Sequence, residues 1–239
     1  MVSSLLVLSK FLYLASATLT IGHLLLLLFF VRNKEGAIKE EFLYLRKRIS
    51  LFAWVWALST IIFILATLAS ILDLPFSSAF DLTMLRSFLT QISLGKSLAL
   101  QTIGALVVAL WSSRVKKVSY GALILALSIV SISIPIFQSH SASGGSHLIA
   151  IGTLLIHVIA ITLWIGSLTA LVINRKIELH SVIARYSQLA LWAALSVVAS
   201  GAINAWIRLH LSDAWRSTYG LLVFEKIILT LGILAIAGY

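Results

Sequence analysis

The sequence predicts an all-α fold: a polytopic transmembrane helical bundle of about seven spans, with the N-terminus outside. Three observations carry that reading. Only 11% of the 239 residues are charged while 60% are hydrophobic, and mean hydropathy is +1.06; a soluble domain carries about 25% charged residues. Apolar runs of about twenty residues, the length that crosses a hydrocarbon core of about 30 Å, recur along the chain. Lys and Arg gather in alternate connections, the pattern of short cytoplasmic loops.

The first run is Phe11–Val31, with Lys10 at its edge. The N-terminus has neither a basic n-region nor a small-residue cleavage site, so this run is read as a retained helix. The second span is Ile49–Leu72 and the third Ser97–Trp111. The fourth is Tyr120–Phe137, with Pro135 near its end, where a stop is tolerated. The fifth is His147–Ile173, the sixth Tyr186–Ile207, and the seventh begins near Leu221. That last run reaches Tyr239 with no basic flank, which predicts a longer parent protein. Between spans two and three, Leu85, Phe88, Leu89 and Ile92 recur at helical spacing after Asp81. This predicts a short N-capped helix lying on the outer surface. The chain divides into N-terminal helices over residues 1–136 and a second part, 137–239, holding a His loop and the last three spans.

Charge sets the orientation. Arg32, Lys34, Lys39, Arg46, Lys47 and Arg48 share one loop, Arg114, Lys116 and Lys117 a second, and Arg175, Lys176 and Arg185 a third. These are twelve of the eighteen basic residues, and the intervening loops are poor in them. The net charge of +10 is therefore membrane topology, and nucleic-acid binding is excluded. No cysteine is present, which removes disulfides and thiolate metal sites, and two methionines are too few for a thioether copper route. No loop is large enough for a soluble catalytic domain, so no enzyme is expected.

Polar groups at membrane depth are costly and mark function. They are His23, Gln101, His157, Asn204, Glu225 and Lys226. Gln101 and Asn204 are expected to bond helix to helix, and Glu225 and Lys226, about one turn into the last span, to reach towards the outer surface. Gly166 with Ala170, and Gly201 with Ala205, are small-xxx-small pairs that admit close helix packing.

The histidines are the sharper signal. Three fall in SHSASGGSHLIAIGTLLIH, Ser139–His157, among six in the chain. His140 and His147 flank a flexible Ser/Gly linker that allows both rings onto one ion. His157 lies about 15 Å further along the helix axis and about 80° off the His147 face, so those two cannot share an ion. Trp164 returns to within about 20° of the His157 face. His23, twelve residues into the first span, matches His157 in depth on this reading. That leaves open a bis-His haem as an alternative to copper.

Several blocks resemble a known family. HVIAITLWIGSL, His157–Leu168, resembles the H-x-x-x-x-x-x-W-x-G-G-L signature of the copper resistance protein D (CopD) family, with Ser167 at the second Gly. RYSQLA (Arg185–Ala190) with SGAINA (Ser200–Ala205), TYGLLVFEK (Thr218–Lys226) and the loop SHSAS (Ser139–Ser143) are similar to further motifs of that family, in order. In this resemblance Leu221 stands where many members have Arg, and Glu225 precedes the lysine where an apolar residue is common.

The resemblance implies a multi-pass protein of the bacterial inner membrane that takes up or transfers copper for homeostasis or resistance, receiving it from a periplasmic copper-binding partner. His140, His147 and His157 would be the metal ligands. His23, Tyr219 and Lys226 are secondary candidates, the last two shaping the outer end of the route, and Trp164 and Gly166 are packing residues of the signature. Some relatives are fused to a cytochrome c oxidase assembly factor, which makes an oxidase assembly scaffold one alternative; a haem-binding b-type electron-transfer protein using His157 with His23 is the other. An all-histidine site favours Cu(II).

Overall fold

The computed structural model describes residues 2–30, 38, 40–138, 147–174, 179–209 and 216–237. Among the described residues eight α-helices follow one another: α1 Val2–Leu25, α2 Tyr44–Ile71, α3 Leu82–Gln91, α4 Ser93–Ser112, α5 Val118–Ser133, α6 His147–Ile173, α7 Leu179–Leu209 and α8 Thr218–Ala237. A π-helical turn, Leu26–Phe30, prolongs α1, and a 3₁₀ turn, Ile134–Gln138, prolongs α5 through Pro135. Among the described residues six helices are long and apolar enough to cross a bilayer: α1, α2, α4, α5, α6 and α7. The seventh expected span is helical as α8.

Several starts fall earlier than the sequence reading, α2 at Tyr44 and α7 at Leu179 among them. α1 begins at Val2, nine residues before Phe11, because a single exposed lysine, Lys10, does not interrupt a helix; its long stem can carry the ammonium out of the hydrocarbon. α8 begins at Thr218 rather than near Leu221, and the Ser217 hydroxyl caps it by accepting from Gly220 N at 3.2 Å. The short helix α3 forms where the Asp81 pattern predicts it: Asp81 Oδ1 accepts from Thr83 N at 2.8 Å and Met84 N at 3.0 Å. Replacing this cap, Asp81→Ala, should cost about 1 kcal/mol in denaturant unfolding while leaving the other helices intact.

The core lies among α1, α2, α4 and α5, with α6 against α1. Glycines set the closest approaches. A Cβ on Gly22 would fall on the Gly166 carbonyl, so the α1 and α6 backbones are in direct contact. A Cβ on Gly104 would fall on the Ser131 hydroxyl, joining α4 and α5. Neighbouring α2 and α4 are antiparallel and stitched by Ser50 Oγ donating to Ala109 O at 2.6 Å. Arg46 donates to Val115 O at 3.0 Å and Arg48 to Asn174 Oδ1 at 2.6 Å. These two bonds bring the ends of all three basic connections to one end of the bundle, as alternate loops must be.

Candidate functional site

The seam between α6 and α7 gathers the polar residues of the second half. The helices run antiparallel, so residues advancing on α6 meet residues retreating on α7. Thr153 Oγ1 donates to Asn204 Oδ1 at 3.1 Å. One turn on, His157 Nδ1 lies 3.2 Å from Val197 O and 3.1 Å from Ser200 Oγ. Two turns further, Trp164 packs with Ala193, Ala194 and Val197 and shares a side-chain hydrogen bond with Tyr186. Gly201 faces the ring: a Cβ there would lie 3.4 Å from His157 Cε1, in ordinary contact.

The partners fix the His157 tautomer. A carbonyl only accepts, so Nδ1 carries the proton and donates to Val197 O. The Ser200 hydroxyl already donates to Ser196 O and presents a lone pair to the same N–H. Nε2 is left with a lone pair and no hydrogen-bond partner among the described residues. Metal-binding imidazoles are commonly held this way, one nitrogen anchored by a carbonyl and the other open.

His157 lines a groove of about 510 Å³ between α6, α7 and α8. Its polar lining is His157, Asn204, Lys226 and Thr230, and Val197, Val223 and Ile227 belong to its apolar walls. Because α8 starts at Thr218, Lys226 sits about 12 Å along that helix, two turns in rather than one. It lines the same groove as His157. Of the other expected residues, His140 lies outside the described residues. His147 is the first residue of α6 and Tyr219 is the second of α8, and neither side chain is described. Among the described residues no three His, Asp or Glu side chains converge as a metal site.

His23 is fully buried elsewhere, at the basic end of the bundle. Nδ1 donates to Leu19 O at 2.8 Å, and Nε2 accepts from Asn174 Nδ2 at 3.2 Å. Asn174 Nδ2 also donates to Ala170 O at 2.7 Å. Its Oδ1 accepts from Arg48 at 2.6 Å and from the Tyr44 hydroxyl at 3.3 Å. Each assignment forces the next: Arg48 only donates, so the amide oxygen must face it and the amide nitrogen must face a neutral His23. The ring packs at 4.9 Å on Phe52.

This placement corrects the expected match in depth between His23 and His157. Gly22, the neighbour of His23, abuts Gly166, nine residues beyond His157, which sets the two histidines about 14 Å apart along α6. Both axial ligands of a haem bind one iron, and these two histidines are too far apart for that. The helical bond expected of Asn204 is present, to Thr153. That expected of Gln101 is not, since neither of its amide atoms has a partner.

Comparison with known families gives two matches. A model described as copper resistance protein D-like, N-terminal domain, matches residues 1–148, and one described as copper resistance protein D matches residues 180–239. The chain belongs to the copper resistance protein D family. The first match covers the four spans for which the sequence motifs gave no family evidence, and the signature over His157–Leu168 falls between the two. No curated protein and no solved structure matches the chain. Membership, with six membrane-length helices, makes it a multi-pass membrane protein of copper resistance.

Proposed function

We propose that this protein moves or hands on copper across the bacterial inner membrane, with the N-terminus and the Ser139–Ser146 loop outside. His140 and His147 receive the ion at the outer surface, from a periplasmic copper-binding partner, and His157 is the ligand within the bundle. The observation that carries this reading is the anchored Nδ1 of His157, which leaves the Nε2 lone pair unclaimed beside a groove. Asn204 and Thr230 supply the other oxygen donors there. With no cysteine in the chain, nitrogen and oxygen donors favour Cu(II).

Lys226 shapes affinity in this scheme. Its ammonium opposes a cation in the same groove, which favours release over retention. Copper uptake into proteoliposomes tests the reading. His157→Ala should reduce uptake at least about tenfold, one ligand bond being worth well over 1.4 kcal/mol, and Lys226→Met should bind copper more tightly and release it more slowly. Uptake unchanged in His157→Ala rejects the proposal, and weaker binding in Lys226→Met makes the amine a ligand instead.

A further inference from the structure

The N-terminal half holds a second polar site that the histidines do not touch. Gln101 on α4 and Trp56 on α2 are both fully buried. Among the described residues neither the Gln101 amide nor the Trp56 indole N–H has a hydrogen-bond partner. Leaving such groups unmade costs about 1–3 kcal/mol each, a burden that a native core rarely carries.

Helix geometry brings the two together. The Ser50–Ala109 bond sets the register of α2 against α4. Trp56 is six residues beyond Ser50, about 9 Å, and Gln101 is eight before Ala109, about 12 Å, so their levels differ by about 3 Å. On α2, Ser50 marks the α4-facing side, and Phe52 and Phe63, which meet His23 and Tyr13, mark the α1-facing side. At about 100° per residue, Trp56 lies about 20° from Phe63, on the α1-facing side and turned towards that of Ser50. On α4, Ala109 marks the α2-facing side and Gly104, against Ser131, the α5-facing side; Gln101 falls between these. By this geometry both residues fall on the inward sides of their helices, within the group α1, α2, α4 and α5. The Tyr13–Phe63 and His23–Phe52 contacts put Thr20 of α1 at the same level. Thr20 is also fully buried, and its hydroxyl donates to Ser16 O, leaving lone pairs to accept.

We propose that Trp56, Gln101 and Thr20 enclose a buried water site in the N-terminal half of the bundle. Water is the ligand class that fits, because the indole offers only a donor, the hydroxyl only lone pairs and the amide both. Water accepts from Trp56 N–H and donates to Gln101 Oε1 and Thr20 Oγ1, three bonds of the number buried waters usually make, which satisfies two of the three unpartnered atoms.

The test uses full-length protein labelled with ¹⁵N-tryptophan in nanodiscs, the Trp56 indole signal being assigned by its loss in Trp56→Phe. The expected result is cross-relaxation between water and the Trp56 indole proton in the wild type. Gln101→Leu, close in volume, should weaken it and lower the apparent Tm by about 3 °C, although it removes a polar group from the core. An indole proton with no water cross-peak overturns the proposal. So does a Gln101→Leu protein more stable than wild type, which is the behaviour of a dry, uncompensated amide.

Discussion

Gly166→Leu should abolish the folded protein, whereas Gly152→Leu on the same helix should leave it intact. The difference lies in what each backbone faces. A Cβ on Gly166 would meet the Thr18 carbonyl and the Gly22 backbone of α1, while around Gly152 there is nothing within 4 Å. Neither backbone can give way, because each is locked in its own ladder of hydrogen bonds. Separating α1 from α6 by a side chain would undo the seam that also holds His23 against Asn174. The expected cost exceeds about 4 kcal/mol, beyond the usual range for overpacking, because the clash is with backbone. The fraction recovered as monodisperse protein after detergent extraction measures it. Equal recovery of the two variants would show that α1 and α6 are not in backbone contact.

Asn174→Leu should be the next most damaging change, at about 3 kcal/mol. The side chain makes four hydrogen bonds in this structure, to His23, Ala170, Arg48 and Tyr44. Leucine keeps the bulk and removes them all, leaving a half-buried guanidinium and a buried imidazole nitrogen unpaired. Asn174→Asp separates the roles: it still accepts from Arg48, but an acceptor now faces the His23 lone pair. That variant should be stabilised by acid, as a proton on His23 Nε2 restores the bond, whereas wild type should not. Unfolding curves at two pH values check this, and the same pH response in both proteins would contradict it.

What the sequence revealed and withheld follows from the range of each interaction. Apolar run length and basic-loop alternation are local, and they predicted the helices, including α3 with its Asp81 cap. Positions near helix starts shifted with the start. Reading Lys10 as an edge placed His23 mid-membrane, whereas a helix from Val2 carries it to the basic end. The Ser217 cap was legible as Ser three residues before Gly220, and missing it misplaced Lys226 by about one turn. Gly22 and Asn174 drew no notice because their importance comes from partners far away in sequence, Gly166 and Arg48. A Thr18-xxx-Gly22 spacing was the available signal for the first. For the second, a lone Asn opening a basic loop carried none. The tautomer of His157 was likewise invisible, since it depends on a carbonyl forty residues along the chain.

The account turns on His157 presenting Nε2 to copper. Pulsed EPR of Cu(II) bound to a His140→Asn/His147→Asn protein measures this directly, because a coordinated imidazole imprints its remote nitrogen on the echo. The prediction is an imidazole signature in that double variant that survives His23→Gln and disappears with His157→Asn. An imidazole signature that persists without His157 would contradict it.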